Sequence, residues 1–376
     1  MKALVLGCGE MGQEAIRDLV AHGVFTHVVA ACRHPEPAEA FVAQLPTRTT
    51  RVSTQRIDVQ DHDALVGLMR ESDVVCNLAG PNYRNAVPVV RAAIAARRPM
   101  VDVSDDWEAT LEILDLHGEA AKAGITVVVG LGASPGVTNV LARYGADRLD
   151  RVDAVHTAWI MRGSDPGGPA LAEHLLYSLP HRAFVFADGR IQAVRPFVDG
   201  RETLDFPELG RVEVMHIGHP EPFTLSRYIG KGIRYADDKA TFLPASVNEL
   251  IVSLGKVARS SEPVHEGGVV EYAMTWAARR LHRICKSMTD VPKTGALRTE
   301  VCGERDGRRV RLIYSAAGRI GIGTGIPASI GAHLLAIGKL HQPGVYPPEA
   351  CIDPEWFLLA VSARNIGAVE ERVIEE

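Results

Sequence analysis

Several features are missing from this chain of 376 residues, and each absence narrows its function. There is no excess of positive charge: the formal net charge is −5, which argues against a nucleic-acid-binding surface. No apolar run is long enough to span a bilayer. Glu10 and Gln13 interrupt the apolar N-terminus early, so we do not expect a signal peptide. Neither nucleic acid nor a membrane is therefore an expected partner.

The cysteines form no recognisable set. They are scattered along the chain without a Cys-x-x-Cys pair, at Cys8, Cys32, Cys76, Cys285, Cys302 and Cys351. Neither a disulfide framework nor a zinc site is therefore expected, and a reducing cytoplasmic location is the plain inference.

The strongest positive signal lies at the N-terminus. An apolar strand at residues 1–6 leads into Gly7-Cys-Gly9-Glu-Met-Gly12, and a helical pattern follows over residues 13–21. In this order the glycines predict a dinucleotide pocket, with the helix N-terminus facing the pyrophosphate. The expected cofactor contacts here are Gly7, Gly9, Glu10, Met11 and Gly12.

The next predicted strand, residues 27–31, bears on the choice of cofactor. NAD-selective sites usually have an Asp or Glu about 20 residues after the glycines, which holds the ribose 2′-hydroxyl. This chain reads Cys32-Arg33 there, and the Arg33 guanidinium can pair with a 2′-phosphate. The sequence therefore favours NADP, with NAD as the second choice. The alternative is that Arg33 is a solvated surface residue.

Strands and helices alternate through the N-terminal part of the chain. Further strands are predicted at residues 54–59, 73–78, 100–103 and 125–131, with helices at 61–69, 87–96 and 107–123. This alternation predicts an α/β fold with a doubly wound parallel sheet that binds ligands beyond the carboxyl ends of its strands. Those ends supply the remaining predicted cofactor contacts: Asp58, Val59, Leu78, Ala79, Gly80, Pro81 and Ser104.

After about residue 151 the pattern of predicted strands and helices changes. The predicted strands and helices no longer alternate, which indicates a mixed α+β second domain. The strands are predicted at 152–161, 183–186, 190–194 and 213–217, with a hairpin at 296–302 and 309–315, and the helices at 246–258 and 269–284. An apolar sheet face or edge in this domain would be covered by two-fold pairing, so we expect a homodimer.

Five further segments resemble one family. They occur in the order Asn77-Leu-Ala-Gly-Pro81, Val101-Asp-Val-Ser-Asp105, Gly130-Leu-Gly-Ala-Ser-Pro-Gly-Val-Thr-Asn139, Gly325-Ile-Pro-Ala-Ser-Ile-Gly331 and Pro343-Gly-Val-Tyr-Pro-Pro-Glu349. Together with the glycine turn they are similar to the saccharopine dehydrogenase (saccharopine reductase) superfamily, and most of all to its lysine 6-dehydrogenases. Those enzymes carry an acidic residue at the position of Cys32, so their use of NAD is not transferred.

The resemblance implies the domain organisation and the reaction. It implies a Rossmann-type dinucleotide-binding domain at residues 1–135 and an inserted substrate and dimerisation domain at 136–325. The C-terminal segment, residues 326–376, is expected to return to the first domain. The implied reaction is hydride transfer at a C–N bond of an amino acid or a related amine or imine.

Three residues are candidates for the chemical step. Asp105 and Asp106 follow the strand at 100–103, where a carboxylate would stabilise the cation that develops on a protonated imine. Their alternative role is to cap the next helix. His219 is a further candidate, as a proton carrier or substrate contact. No metal is expected, because His216 and His219 have no evident third ligand and catalytic zinc needs three.

The predicted substrate contacts lie in both domains. Ser134 is expected to cap the next helix, with Pro135 in its first turn, and that helix end could hold a substrate carboxylate. Arg162, Arg227 and Tyr228 could clamp a carboxylate, because an arginine binds it through two hydrogen bonds. The alternative is a surface strand with one ion pair. Tyr83 and Thr224 complete the predicted set.

Two other functions were compatible with the same pocket. One is a non-catalytic module that senses NADP(H) and presents its second domain to a partner. The other is a carbonyl reductase, although such enzymes commonly need a Tyr-x-x-x-Lys pair that the candidate segments here do not supply.

Overall fold

The structure is a computed structural model, and it describes residues 1–22, 24–46, 49–165, 169–178, 181–259, 269–289, 291–364 and 367–375. The chain forms two compact units. The first comprises Met1–Val140 and Gly321–Ile366, and the second comprises Leu141–Ile320 and Gly367–Glu376. Among the described residues, no helix is both long and apolar enough to cross a membrane.

The first unit is built on a sheet of seven strands in which all neighbours are parallel. The strands are β1 (Lys2–Leu6), β2 (His27–Cys32), β3 (Arg51–Arg56), β4 (Val74–Asn77), β5 (Met100–Asp102), β6 (Thr126–Val128) and β15 (Gly344–Tyr346). Their order across the sheet is β15-β6-β5-β4-β1-β2-β3. Successive strands are added on one side of β1 up to β3 and on the other side from β4 onward. This order confirms the predicted doubly wound α/β fold. A ligand is expected at the carboxyl ends of β1 and β4, where the strand order switches.

The helices of this unit follow the strands. They are α1 (Glu10–His22), α2 (Glu36–Val42), α3 (His62–Arg70), α4 (Asn82–Ala96), α5 (Trp107–Asp115), α6 (His117–Ala123), α13 (Pro348–Cys351) and α14 (Pro354–Ser362), and the unit boundaries fall inside α7 (Val137–Asp147) and α12 (Ile320–Ala336). The Asp61 side chain caps α3, accepting from the Ala64 amide at 3.1 Å. The single helix predicted over 107–123 is two helices that meet at Leu116.

The C-terminal segment packs closely on α1. A Cβ added at Gly325 of α12 would lie 2.3 Å from the Met11 carbonyl oxygen, so only glycine allows this approach. Ser329 Oγ donates to Asp18 Oδ2 at 2.7 Å, and Arg364 Nε donates to both Asp18 oxygens at 2.9 Å. These contacts explain the glycine at position 325 and the serine at position 329 of the Gly325–Gly331 segment.

The second unit contains a nine-stranded mixed sheet. Its strands are β7 (Arg151–Arg162), β8 (Ala183–Ala187), β9 (Arg190–Val194), β10 (Glu202–Phe206), β11 (Gly210–His216), β12 (Tyr235–Leu243), β13 (Gly295–Arg305), β14 (Arg308–Gly318) and β16 (Glu370–Glu375). The main order is β10-β11-β12-β7-β13-β14-β16, and β7 is parallel to β12 but antiparallel to β13. This confirms the predicted α+β character of the second domain.

The helices that the structure describes beside this sheet are α8 (Pro169–Ser178), α9 (Glu221–Tyr228), α10 (Ser246–Arg259) and α11 (Val269–Lys286). Buried residues of α8, α10 and α11 share one apolar core with Trp159, Met161 and Phe242 of the sheet. This core covers one face of β7 and β12.

The last strand departs from the predicted return of the whole of residues 326–376 to the first domain. Instead of joining the first sheet, β16 pairs antiparallel with β14. Two of its acidic residues also form ion pairs there: Glu375 accepts from Arg305 at 2.8 Å, and Glu371 accepts from Arg148.

Candidate active site

The glycine turn has the backbone that a dinucleotide requires. Gly7 has φ +87°, and an added Cβ would lie 2.3 Å from the Leu78 carbonyl oxygen. At Gly12 it would lie 1.9 Å from the Gly7 oxygen, so neither position admits a side chain. No atom of the described residues lies within 4 Å of a Cβ built at Gly9. The turn therefore leaves open space beside the N-terminus of α1, as a pyrophosphate site needs.

A buried carboxylate links the neighbouring strand ends. Asp102, at the end of β5, accepts from Asn77 Nδ2 at 2.6 Å and from the Ser104 amide at 2.7 Å. Asn77 Oδ1 in turn accepts from the Ala79 amide at 3.2 Å. Asp102 and Asn77 therefore fix the two segments, 78–81 and 104–106, that carry predicted site residues. Neither was among the predicted site residues, although both lie inside the segments that carry the family resemblance.

The Asp102 side chain also has an unusual acidity. Burial raises its pKa to about 6, against an ordinary value of 3.8, even though the Asn77 and Ser104 hydrogen bonds oppose this. The nearby hydroxyl of Ser104 is buried and has no hydrogen-bond partner among the residues that the structure describes. A buried hydroxyl of this kind at a strand end is suited to a ligand contact.

The loop after β3 is tied to the start of α4. Asp58 Oδ1 accepts from the Gln60 amide at 3.0 Å, and Gln60 Nε2 donates to Asn85 Oδ1 at 2.7 Å. Asn85 Nδ2 donates to the Gly80 carbonyl at 2.9 Å. The predicted residues Asp58, Val59 and Gly80 therefore belong to connected loops, and Gln60 and Asn85 are the connecting residues that the sequence did not reveal.

Arg33 follows the end of β2 and is exposed. Within the described ranges its guanidinium takes part in no ion pair or hydrogen bond. The carboxyl ends of β1 and β2 therefore fit a dinucleotide that carries a 2′-phosphate. They provide open space at Gly9, the N-terminus of α1 and an available cation, Arg33.

The two candidate aspartates differ in their surroundings. Asp105 is half-buried and accepts from Asn82 Nδ2 at 2.7 Å. Asp106 is fully buried at the N-cap position of α5, yet its side chain makes no capping hydrogen bond to the first turn. Asp106 therefore occupies the position of a helix cap, but its carboxylate does not act as one. Tyr83, next to Asn82 on α4, accepts from Arg84 at 3.4 Å.

The helix expected to start at Pro135 starts later. α7 begins at Val137, and the Gly136 amide donates to Asn139 Oδ1 at 3.0 Å. The Ser134 hydroxyl instead accepts from Thr138 Oγ1 at 3.2 Å. The side chain of Asn139, rather than Ser134, satisfies an amide before the helix.

In the second unit, His219 is part of a buried ionic cluster. Its Nδ1 lies 3.1 Å from Glu221 Oε2 and 3.3 Å from Asp238 Oδ2. Asp238 also accepts from Thr157 Oγ1 at 2.6 Å and from Trp159 Nε1 at 3.1 Å. All five side chains are buried. We call His219, Glu221 and Asp238 the buried acidic cluster.

Burial weakens the acidity of Asp238 in this cluster. Burial, together with the adjacent Glu221 carboxylate, raises the pKa of Asp238 well above its ordinary value. The three ligand atoms lie within 4.8 Å of one another, a spacing that would also suit a metal ion.

His216 is not part of the buried acidic cluster. It lies on the opposite face of the sheet, where its Nε2 is 3.0 Å from Asp237 Oδ2. Successive residues of β12 point to opposite faces, so Asp237 and Asp238 serve different clusters.

The remaining predicted contacts are also placed. Arg162 pairs with Asp165 three residues later, with Nε 2.8 Å from Oδ1, which matches the ion-pair alternative. Thr224, Arg227 and Tyr228 lie on helix α9, so the suggested surface strand is wrong. Thr224 is buried, and Arg227 is exposed with its guanidinium 5.3 Å from the centre of the Tyr228 ring.

The first unit thus brings together the glycine turn, Arg33 and the ends of β3, β4 and β5, as a dinucleotide-binding domain of the Rossmann type does. A family model described as the saccharopine dehydrogenase NADP binding domain matches residues 3–128.

Known proteins extend this similarity along the chain. The carboxynorspermidine synthase of Vibrio alginolyticus is 24% identical over 412 residues, which cover 95% of this chain and 94% of that protein. The NADP-dependent, L-glutamate-forming saccharopine dehydrogenase of Saccharomyces cerevisiae is 32% identical over 155 residues, or 41% of this chain and 31% of that protein.

A solved structure supports the same fold. The apo L-Glu-forming saccharopine dehydrogenase from Saccharomyces cerevisiae aligns with a TM-score of 0.69 at 15% identity, covering 99% of both chains. Residues 3–128 thus match the NADP binding domain of saccharopine dehydrogenases, and the relatives that align with the chain are named as a synthase and a dehydrogenase, which supports an oxidoreductase with an NAD(P)-binding domain. The non-catalytic alternative is therefore set aside.

Proposed function

We propose that this protein is an NADP-preferring oxidoreductase that transfers hydride at a C–N bond of an amino acid or a related amine or imine. Activities like those of lysine 6-dehydrogenase or saccharopine reductase are the specific candidates. The observation that carries the choice of an amine is the buried acidic cluster of the second unit. Two buried carboxylates beside one histidine leave an excess of acidic groups, which favours a cationic ligand. The related carboxynorspermidine synthase and saccharopine dehydrogenase are named for amine compounds, which supports the same class.

The cofactor preference rests on Arg33. Arg33 is exposed and available at the end of β2, so its guanidinium can bind a 2′-phosphate. Positions 32 and 33 are Cys and Arg, so neither supplies the acidic side chain that would bind a 2′-hydroxyl. The amides at the start of α1 would hold the pyrophosphate. When bound, the nicotinamide would donate or accept the hydride.

The residues of the chain supply positioning and electrostatics. Asp102 and Asn77 hold the strand ends in place, so the segment 104–106 is rigid before a ligand arrives. A carboxylate of Asp105 or Asp106 would stabilise the positive charge that develops at an iminium nitrogen. His219 would hold or move a proton within the buried acidic cluster. The predicted cytoplasmic location adds no constraint on this chemistry.

The proposal is tested by following the absorbance of the reduced nicotinamide. The purified protein is mixed with NADP or NAD and a panel of lysine, saccharopine and short diamines, and with simple ketones and aldehydes as controls. We expect turnover with at least one amine and none with the carbonyl controls. Turnover confined to the carbonyl compounds would contradict the proposal and support the carbonyl reductase.

Cofactor preference is tested separately with Arg33→Ala. We expect NADP(H) to bind the wild type at least several-fold more tightly than NAD(H), and the variant to lose affinity for NADP(H) alone. Arg91→Ala, which removes another exposed arginine from helix α4, is the matched control and should change neither affinity. Equal loss for both cofactors in Arg33→Ala would contradict the assignment.

A further inference from the structure

A second exposed arginine lies near Arg33 at the cofactor end of the first sheet. Arg33 directly follows β2, and Arg56 is the last residue of β3. The two strands are parallel, and Arg56 is in register with Cys32, the last residue of β2. The Ile57 amide donates to the Cys32 carbonyl at 3.1 Å, so the pairing continues to the end of both strands. Arg33 and Arg56 therefore leave the same end of the sheet from neighbouring strands.

The register also decides the direction of the Arg56 side chain. Residues directly opposite each other on adjacent strands point to the same face of a sheet, and such strands lie about 4.8 Å apart. Arg56 therefore extends from the same face as Cys32. Cys32 stands about 20 residues after the glycines, where an NAD-selective site carries the carboxylate that holds the ribose 2′-hydroxyl. The Arg56 guanidinium is thus directed toward the 2′ position of a bound dinucleotide.

Both guanidiniums are available to an anion. Arg33 and Arg56 are exposed, and across the part of the chain that the structure describes neither side chain forms an ion pair or a hydrogen bond. The exposed Arg201 of the second unit, by comparison, pairs with Glu213 at 2.7 Å. A phosphate monoester carries about −1.5 to −2 charges at neutral pH, so two available cations match its charge.

The alternative role of Arg56 is protection of the sheet edge. β3 is the last strand at its side of the seven-stranded sheet, and charged side chains on an edge strand hinder pairing with other chains. Arg51, the first residue of the same strand, is also exposed and could serve that role equally well. It lies roughly 16 Å from Arg56 along the strand, at the end away from the glycine turn. The two arginines therefore separate edge protection from ligand binding.

We propose that Arg56 is a second binding residue for the 2′-phosphate and that, together with Arg33, it determines the preference for NADP over NAD. This inference rests on the NADP preference in the proposed function and assigns that preference to two neighbouring strands. Each guanidinium would donate charge-assisted hydrogen bonds to the phosphate oxygens. Cys32 is uncharged and stands in the place of a carboxylate that would repel the phosphate.

The experiment measures the binding of two probes to the full-length protein by isothermal titration calorimetry. Adenosine 2′,5′-bisphosphate carries the 2′-phosphate, and adenosine 5′-monophosphate lacks it. The wild type should bind the bisphosphate more tightly. Arg33→Ala and Arg56→Ala should each weaken bisphosphate binding on the order of tenfold, the effect of losing one charged hydrogen-bond donor, and leave monophosphate binding nearly unchanged. Arg56→Lys keeps the charge but loses the planar fork, so its affinity should fall between the wild type and Arg56→Ala.

The matched control is Arg51→Ala, which removes an exposed arginine from the other end of the same strand and should change neither affinity. Melting temperatures of all the variants establish that they fold. The inference is overturned if Arg33→Ala weakens bisphosphate binding and Arg56→Ala does not, or if Arg56→Ala weakens the binding of both probes equally. A wild type that binds the two probes equally well would contradict the NADP preference itself, and this inference with it. No amine is present, so none of these outcomes depends on the proposed reaction at a C–N bond.

Discussion

The contact between α12 and α1 can be tested by adding one methyl group. In Gly325→Ala the new Cβ would lie 2.3 Å from the Met11 carbonyl oxygen, 2.9 Å from the Ala15 amide nitrogen and 3.0 Å from Glu14 Cβ. The two nearest atoms belong to the backbone of α1 and cannot rotate away. Real Cβ atoms essentially never approach within 3.0 Å, so the helices must separate by about 0.7 Å, the difference between 3.0 and 2.3 Å.

The size of the effect follows from two opposing contributions. Overpacking of this kind costs about 1–3 kcal/mol. Replacing a helical glycine by alanine returns at most about 1 kcal/mol. We expect a net loss of roughly 1–2 kcal/mol, which corresponds to a fall of about 3–6 °C in melting temperature for a unit of this size. Because α1 starts at the proposed pyrophosphate site, NADPH affinity should fall as well.

The matched control lies two residues away on the same helix. A Cβ at Gly323 would meet only Ala133 Cβ, at an ordinary 3.6 Å, so Gly323→Ala should melt at or slightly above the wild-type temperature. Both variants are measured by thermal unfolding and by NADPH titration. If Gly325→Ala is as stable as Gly323→Ala, the close approach of the two helices is wrong.

The remaining predictions concern the site and the assembly. Asp105→Asn or Asp106→Asn should lower turnover by roughly 100-fold with little change in melting temperature or NADPH affinity; if both keep full activity, His219 becomes the next residue to test. For Asp102, whose pKa is raised from 3.8 to about 6, the native state binds the proton more tightly than the unfolded state. The stability of the wild type relative to Asp102→Asn should therefore fall by roughly 3 kcal/mol as the pH rises from about 4 to about 6, and parallel denaturation profiles would refute this. We also expect a homodimer formed through residues 151–325, which light scattering would contradict by finding a monomer at micromolar concentration.

The glycine turn was predictable because its signal is local. Strand, glycines and helix follow one another within 22 residues, and Gly7 and Gly12 each have a steric reason within the same motif or the adjacent strand end. The alternating strands and helices likewise depend on neighbours in the chain, so the first sheet could be read from the sequence. The short β15 was missed because its pairing with β6 joins residues far apart.

The buried acidic cluster was not predictable. Asp238 lies in the run Asp237-Asp238-Lys239, which reads as a polar loop but forms the middle of strand β12. Long-range partners on both faces of the sheet make that burial possible, among them Thr157 and His216. The sequence showed His219 but could not show that Asp238 lies beside it.

The start of α7 was predicted wrongly. The pattern Ser134-Pro135 is typical of a helix start, but α7 begins at Val137, and the side chain of Asn139 accepts from the Gly136 amide.

The central claim is that hydride moves between NADPH and a carbon bonded to nitrogen. It is tested most directly with NADPH that carries deuterium at C4 of the nicotinamide. Each amine that supports turnover is formed in the reductive direction from its imine, and the position of the label in the product is read by mass spectrometry and NMR. The account predicts one deuterium on the carbon attached to the newly reduced nitrogen. Label at an alcohol carbon, or turnover without label in the product, would contradict it.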